Sequence, residues 1–524
     1  MKRRDFLKAT SATLLPIALN GLPINTFAGT PLLKAIAKSS SKNGRVLVLI
    51  QLNGGNDGLN TLIPIDQYSK LNTARSNVLI KENRILPLEG TDKTGFHPSM
   101  LQMKNMFDHG FMSVIQDVGY PNPDFSHFRS TDIWMSGSSS DEYLKSGWLG
   151  RMLENEYPEY PDEYPNAEMP DPLALQIGYG LSLTLVGEHH SMGLAVSDTN
   201  YIYQMVNGTV DPAPPTPAGH ELTYIRLVAQ QTEAYSVAIK NAAEKGNNLG
   251  TKYPNRNSLA DQLKIVAKLI SGGLKTPVYM VSIGGFDTHA NQVDASDTAI
   301  GAHANLLTQV SEAISAFQDD CSRLGIADKV CGMTFSEFGR RIKSNGSIGT
   351  DHGTAAPMFV FGSKVNPGII GQNPNIPSNA TVNDNLPMQY DYRQVYWTII
   401  KDWFQIADTE IQNNILFNSF TPLPIFSQTL GLNKTEENKE GLVHIQCYPN
   451  PFTSYTMVEF YSFGGYCEIK LFDNQGKQIS TLSAQVYPKG KQNLKLDSYA
   501  YKPGNYYLQI ITALGRKTIP IIKV

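Results

Sequence analysis

The sequence predicts an α/β protein with a mostly parallel sheet that helices cover on both faces, followed by a small all-β sandwich. Near-continuously apolar runs such as 46–52 ("VLVLIQL") are typical of strands buried on both faces. These runs alternate with segments of helical period, and such alternation indicates βαβ units around a parallel sheet. Near residue 432 the pattern changes to short alternating strands separated by turns such as "DNQG" and "KPGN", which indicates the sandwich.

Length and composition set the class of protein. A chain of 524 residues is too long for one small core, and 41% hydrophobic with 17% charged residues is typical of globular proteins. The formal charge of −3 argues against a nucleic-acid binder, because there is no basic excess to neutralise phosphates. Four cysteines do not make a disulfide scaffold; Cys447 and Cys467 could pair, and the sequence leaves that open.

The N-terminus, "MKRRDFLKAT", carries adjacent arginines before a modest apolar run that Pro16, Gly21 and Pro23 interrupt. That run is too short and broken to span a bilayer stably. With small residues near position 28, residues 1–28 indicate a twin-arginine export signal, although adjacent arginines before a degraded general secretory signal would look similar. We therefore expect the twin-arginine translocase as a partner and no integral membrane segment in the mature chain.

Four further boundaries follow along the chain. The α/β domain is predicted at 44–432, with Ile300, Leu307, Val310, Ile314 and Phe317 at helical spacing in its clearest helix. Pro-rich stretches within 151–260 indicate surface insertions. A polar linker is predicted at 433–442, and the β domain at 443–524.

The candidate site lies where the predicted strands end. Open parallel sheets bind ligands beyond the carboxyl ends of their strands, and polar residues follow several strand ends here. They are Asp57, Ser126, His127, Asp287, His289, Glu337, Arg340, Arg341, Asp351 and His352. Mixed Asp, Glu and His sets suit a divalent metal, and Zn²⁺, Mn²⁺, Mg²⁺ and Ca²⁺ stay open.

Each of these residues alone has a simpler explanation. Asp57 could be a turn residue, Ser126 an N-cap, and Glu337 the partner of a surface ion pair. The metal site is predicted because several strand ends deliver such side chains to one rim.

Longer stretches resemble a known family. "VLVLIQLNGGNDGLNTLIP", "VSIGGFDTHANQ" and "TFSEFGRRIKSNGSIGTDHGTAAPMFVFG" resemble the bacterial domain-of-unknown-function family 1501, whose members are twin-arginine exported and classed with the alkaline phosphatase superfamily. The resemblance covers about Arg45 to Phe404 and implies an alkaline phosphatase-like fold. It also implies metal-ligand roles for Asp57, Asp287, His289, Glu337 and His352. Asp351 is predicted either as a further ligand or as the residue that orients the His352 imidazole.

The same resemblance implies a hydrolytic site. Ser126 stands near the superfamily's nucleophile, with Thr131 or no nucleophile as alternatives, and Ser126, His127 and Arg340 are the predicted catalytic residues. Arg340 or Arg341 would hold the anionic group of an ester. Phe338 departs from the family pattern, because a second metal site would need a His there. No Cys/Ser-x-Pro-x-Arg stretch is present, so formylglycine sulfatase chemistry is not expected.

The C-terminal stretches "CYPNPFTSYTMVEF", "IKLFDNQGKQI" and "YKPGNYYLQIITALGRKTIPIIKV" resemble the type A sorting domain of the type IX secretion system of Bacteroidota. This resemblance implies passage through the type IX outer-membrane translocon, and a secreted or surface-attached protein. Two functions follow as hypotheses. One is an exported metal-dependent hydrolase of phosphate or sulfate esters. The other is a non-catalytic surface protein of the same fold that binds glycans or another envelope component.

Overall fold

The computed structural model describes residues 16–19, 22–25, 44–178, 180–196, 232, 234–426, 445–462, 465–473, 477–488, 490–497, 501–512 and 515–524. The chain divides into two compact units, Met1–Thr429 and Leu430–Val524. The predicted linker lies outside the described residues. So does the predicted export signal, apart from two short antiparallel strands, β1 (Pro16–Leu19) and β2 (Leu22–Asn25).

The first unit is built on one large sheet. Its strands, with the smaller sheets beside it, are β3 (Val46–Leu52), β4 (Leu62–Pro64), β5 (Leu86–Pro87), β6 (Thr94–Phe96), β7 (Met112–Gly119), β8 (Ala174–Ile177), β9 (Gly193–Val196), β10 (Val278–Ile283), β11 (Val330–Phe335), β12 (Arg340–Ser344), β13 (Thr350–His352), β14 (Ala356–Phe361), β15 (Gly368–Ile370) and β16 (Tyr390–Asp391). The large sheet has the order β15-β7-β14-β11-β3-β10-β8-β9, with β16 beside β7. Its pairings are parallel except for those of β14. The predicted mostly parallel α/β fold is therefore confirmed.

Helices lie on both faces of this sheet. They span Gly58–Thr61, Tyr68–Arg75, Leu101–Asp108, His127–Ser136, Trp148–Glu156, 234–245, Ser258–Ser271, Ala302–Arg323, Tyr392–Thr398 and Asp408–Glu410, the last two continuing as π-helical turns Ile399–Trp403 and Ile411–Ile415. Alternate residues of β3 enter two different cores: Val48 packs with Ala302–Arg323, and Leu49 with Tyr392–Thr398. None of the helices in the described part of the chain has the length and apolar character needed to cross a membrane.

The start of the long helix differs from the sequence prediction. The helical spacing included Ile300, but the helix begins at Ala302 and the Ile300 side chain is exposed. Gly301 precedes the helix at φ +124, a conformation outside the helical region, so the helix does not extend back to include Ile300. The prediction for Ile300 was therefore wrong.

The topology explains why distant segments meet at one edge. The parallel strands β3, β7, β10 and β11 all end at the same edge of the sheet. Because β14 runs antiparallel to its neighbours, it begins at that edge, and the β12–β13 hairpin that precedes it also lies there. Residues near 54, 127, 287, 337 and 352 are thereby delivered to one place.

The second unit is all β. Its strands are β17 (Ile445–Tyr448), β18 (Tyr455–Ser462), β19 (Gly465–Phe472), β20 (Gln478–Tyr487), β21 (Gly490–Asp497), β22 (Gly504–Thr512) and β23 (Gly515–Lys523). They form two antiparallel sheets, β17-β18-β21 and β20-β19-β22-β23. Val458 and Phe460 from one sheet share a buried core with Ile469 and Leu508 from the other. The predicted sandwich is confirmed.

Candidate metal centre

Three histidines and one aspartate converge at this edge, and we call them the His₃Asp cluster: His127, Asp287, His289 and His352. The Nε2 atoms of His289 and His352 lie 2.8 Å apart, and each lies 3.2 Å from Asp287 Oδ1. His127 Nε2 lies 3.4 Å from Asp287 Oδ2. Ligand atoms of His127, Asp287 and His352 all lie within 4.8 Å of one another.

The opposite nitrogen of each imidazole contacts an oxygen that can only accept a hydrogen bond. His127 Nδ1 donates to Glu337 Oε1 (2.9 Å), His289 Nδ1 to Asp351 Oδ1 (3.0 Å), and His352 Nδ1 to the Phe125 carbonyl (2.7 Å). A carboxylate or carbonyl acceptor places the proton on Nδ1, so a neutral ring carries its lone pair on Nε2. All three lone pairs are therefore directed into the cluster, the arrangement that metal-binding histidines adopt.

This arrangement requires a positive species at its centre. Two imidazole lone pairs that face each other at 2.8 Å repel unless a proton or a cation lies between them. Ligands about 2.1 Å from one ion are about 3.0 Å apart in octahedral and about 3.4 Å apart in tetrahedral geometry. The separations of 2.8–3.4 Å between Asp287 and each histidine and between His289 and His352 match those values, and the ligand atoms of His127, Asp287 and His352 all lie within 4.8 Å of one another, so the residues fit a divalent metal ion.

Charge at the cluster is held in the form that a metal needs. Burial alone would raise the pKa of Asp287, but the hydrogen bond from Arg340 and the nearby His352 ring outweigh it and lower the pKa to about 2. Burial also lowers the pKa of His352, and it outweighs the contacts with Phe125 O and Asp287 that act to raise it. At neutral pH the carboxylate is ionised and the His352 imidazole is neutral.

Arg340 braces the cluster from beneath. Its side chain is inaccessible to solvent, and each of its three guanidinium nitrogens donates to a protein oxygen. The acceptors are Gly55 O (2.7 Å), Thr350 O (2.8 Å), Phe286 O (2.9 Å), Gly54 O and Asp287 Oδ1 (2.8 Å). Arg340 therefore joins the Gly54–Gly55 turn to the two loops that carry Asp287, His289 and His352, and its donors are directed into the protein rather than towards a substrate.

Glu337 and Asp351 each accept a hydrogen bond from a histidine of the cluster. The Glu337 side chain is 3% exposed, and its Oε1 accepts the Gly54 N–H at 2.8 Å as well as the His127 proton. Asp351 is 49% exposed and contacts His289 rather than its chain neighbour His352. Both carboxylates thus reach an imidazole in the structure.

Asp57 lies apart from the cluster. Its side chain is fully buried, its Oδ2 forms an ion pair with Arg75, and the same oxygen accepts Gln292 Nε2 at 2.6 Å. Burial acts to raise the pKa of Asp57, but the Arg75 charge and the other contacts lower it. Of the six predicted metal ligands, Asp57 is the one whose side chain is wholly inaccessible to solvent.

Ser126 and Arg341 each adjoin a cluster residue, Ser126 as the residue before His127 and Arg341 through its contact with the His352 backbone. Ser126 is the exposed N-cap residue of His127–Ser136, and its side chain makes no capping hydrogen bond. Arg341 is half-buried; its Nε donates to His352 O at 3.2 Å, and its guanidinium lies 5.9 Å from the Phe125 ring centroid. Thr131, the alternative nucleophile, lies one turn into the same helix.

Sequence reasoning missed several residues that the structure brings to the cluster. Phe338, noted only as a departure, packs its ring 4.4 Å from His352 and 5.0 Å from His127. The Phe125 carbonyl carries no residue-type signal. Gln292 and Asn345 hydrogen-bond the ligand loops, but amides are so common in loops that their type alone did not indicate a role.

Comparisons with known proteins follow this geometry. The family model "Protein of unknown function (DUF1501)" matches residues 207–415, and the model "Secretion system C-terminal sorting domain" matches residues 446–523. The expected resemblance to the DUF1501 family is confirmed over residues 207–415, and the expected resemblance to a sorting domain over residues 446–523. The sorting domain makes this a secreted or surface-attached protein handled by the type IX translocon. A search of curated proteins finds no match.

A search of solved structures finds several matches to this chain. They include PorZ, a type-IX secretion surface component of Porphyromonas gingivalis (16% identity, 15% of this chain and 11% of that chain, TM-score 0.12). They also include the PsFucS1 sulfatase from Pseudoalteromonas sp. (9%, 90% and 88%, 0.34) and an alkaline phosphatase superfamily protein from Vibrio parahaemolyticus (8%, 84% and 82%, 0.32). At these values the likenesses say nothing about activity.

Proposed function

We propose that this protein, whose residues 207–415 match the DUF1501 family and whose residues 446–523 match a secretion sorting domain, is an exported hydrolase of phosphate or sulfate esters that uses one divalent metal ion. The observation that carries the proposal is the pair of imidazole lone pairs facing each other at 2.8 Å beside an ionised carboxylate.

The donor set favours one class of ion. Three imidazole nitrogens and one carboxylate suit Zn²⁺, Mn²⁺ or a similar transition ion, whereas Mg²⁺ and Ca²⁺ prefer oxygen ligands throughout. Within the described part of the chain, the His₃Asp cluster contains the one group of His, Cys, Asp and Glu side chains close enough to hold an ion. Phe338 covers one side of the imidazoles with an apolar ring, which supports one ion rather than two.

Each residue then has a stated task. A divalent ion supplies Lewis-acid polarisation of the ester and favours an ionised hydroxyl. Glu337 and Asp351 keep the protons of their histidines on Nδ1, and Arg340 holds the Asp287 carboxylate in place. Arg341, whose Nε donates to His352 O, would bind the anionic group of the substrate.

The nucleophile follows from position. The Ser126 hydroxyl is exposed at a helix N-terminus, directly before His127, where the helix dipole favours an anionic ester. We assign Ser126 this role in the proposal, with hydrolysis by water as the alternative when Ser126→Ala keeps its activity.

Binding without catalysis is the second candidate. Two exposed aromatic side chains favour it: Phe128, 87% exposed, follows His127, and Tyr143, 77% exposed, lies beneath the Arg129 guanidinium at 3.8 Å. Exposed aromatic rings of this kind provide apolar faces for a ligand. A glycan held on these rings would need no reaction at the metal.

Metal analysis followed by a substrate panel tests the proposal. The purified chain should contain one divalent ion, and Asp287→Asn and His352→Ala should lose both the ion and the hydrolysis of phosphate or sulfate esters. His109→Ala removes an exposed histidine elsewhere and should change neither. Protein that binds no divalent ion, or hydrolysis that survives loss of both ligands, would contradict the proposal. An ion at the site with no hydrolysis would favour the glycan-binding alternative.

A further inference from the structure

One buried amide connects the two loops that carry the metal ligands. The Gln292 side chain is fully buried, and its Oε1 accepts hydrogen bonds from Thr288 Oγ1 at 3.0 Å and Thr350 Oγ1 at 2.6 Å. Thr288 lies between Asp287 and His289, and Thr350 directly precedes Asp351 and His352. A single oxygen therefore ties together two loops that are about sixty residues apart in the chain.

The other end of the amide is anchored as firmly. Gln292 Nε2 donates to Asp57 Oδ2 at 2.6 Å, and that carboxylate is held by the buried Arg75 guanidinium. The amide can sit in only one orientation, since the carboxylate needs a donor and the two hydroxyls need an acceptor. Asp57, predicted from sequence as a ligand, thereby acts as the fixed end of this link.

Backbone contacts extend the same link. Thr350 N donates to Thr288 O at 3.1 Å, and Gln292 N donates to Ile348 O at 2.8 Å. The two loops are thus joined by main chain and by Arg340, while Gln292 connects both of them to the buried Asp57 carboxylate. Side chains that hold ligand-bearing residues in place change metal affinity when they are removed.

We propose that Gln292 is a positioning residue that sets the distance between Asp287, His289 and His352, and so tunes the affinity of the cluster for a divalent ion. This inference rests on the metal site of the proposed function. Removing such a partner costs about 10–100-fold in metal affinity, and Gln292 belongs near the lower end because it acts through the threonines rather than on a ligand.

A double-mutant cycle on metal affinity tests it. Gln292→Met keeps the volume and removes all three side-chain hydrogen bonds; Thr350→Val removes one hydroxyl and leaves the Asp57 contact intact. The dissociation constants for Zn²⁺, from competition with a chelator, and the visible spectrum of the Co²⁺-loaded protein are measured for each variant. For Gln292→Met we expect about a tenfold larger Zn²⁺ dissociation constant and an altered Co²⁺ spectrum. The double variant should bind Zn²⁺ only slightly more weakly than Gln292→Met does.

The control and the contrary results separate this inference from the proposed function. Gln318→Met removes another buried glutamine, which lies in the last two turns of the helix Ala302–Arg323, and should keep the wild-type affinity for Zn²⁺. If wild-type protein binds Zn²⁺ and needs Asp287 for it, but Gln292→Met and Thr350→Val bind within twofold of wild type, the inference is wrong and the metal site stands. If Gln292→Met does not fold, Thr350→Val alone decides the outcome. Wild-type protein that binds no ion refutes the metal site itself.

Discussion

The two carboxylates behind the cluster offer a matched test of how the imidazoles are held. Glu337→Gln and Asp351→Asn each keep the oxygen that accepts the imidazole proton and remove only the negative charge. Glu337 is 3% exposed and Asp351 is 49% exposed. The same change in charge is therefore made once in the interior and once next to water.

The difference in burial sets the expected magnitudes. Removing a carboxylate behind a metal-binding histidine costs about 10–100-fold in affinity, so we take about 30-fold, or about 2 kcal/mol, for Glu337→Gln. An effective dielectric constant about four times larger near bulk water reduces the same interaction to about 0.5 kcal/mol, about twofold, for Asp351→Asn.

Zn²⁺ dissociation constants measured at pH 7.5 check both values, with thermal unfolding of each metal-free variant to show that the fold is kept. We expect Glu337→Gln to weaken binding roughly ten times more than Asp351→Asn does. An Asp351→Asn effect equal to or larger than that of Glu337→Gln would refute this account of how the imidazoles are held.

Three other predictions concern the backbone and the pH dependence of stability. A Cβ at Gly54, where φ is +118, would lie 2.3 Å from the Asp287 backbone nitrogen. Gly54→Ala should therefore weaken Zn²⁺ binding more than tenfold, whereas Gly346→Ala, which has open space around its Cβ, should leave it unchanged. Equal Zn²⁺ affinities for the two variants would contradict the close packing at Gly54. Burial raises the pKa of Asp117 to about 7, so the folded chain loses stability as pH rises from about 4 through 7. In urea titrations, Asp117→Asn should raise the free energy of unfolding by on the order of 3 kcal/mol at pH 8 and by much less at pH 4. Burial lowers the pKa of His303 to about 4, against about 6.5 in the unfolded chain. The unfolded chain therefore binds the proton first, and stability is lost as pH falls from about 6.5 to 4. His303→Gln should reduce this loss, and an unchanged dependence of the unfolding free energy on pH would contradict the prediction.

Much of the fold followed from patterns in the sequence. The near-continuously apolar β3 predicted a strand buried on both faces, and the alternating C-terminal strands predicted a sandwich. The reversed direction of β14 was not visible, because an apolar strand reads the same in either direction. That reversal is what brings the segment before β14, with His352, to the ligand edge.

The site was partly readable for a similar reason. The expected residues near Asp287 and His352 do come together, because strand ends in one sheet share an edge. The sequence could not predict which carboxylates lie in the cluster. Glu337 and Asp57 carry the same kind of group as Asp287, but neighbours distant in sequence determine their positions. Gly54 and His127 surround Glu337, and the buried Arg75 holds Asp57.

A crystal structure of the Zn²⁺-loaded chain, with anomalous scattering at the zinc edge, tests the central claim most directly. We predict one anomalous peak, about 2.0–2.1 Å from His127, His289 and His352 Nε2 and from the Asp287 carboxylate. An ion bound at Asp57, two ions at the edge of the sheet, or an empty His₃Asp cluster at saturating Zn²⁺ would contradict it.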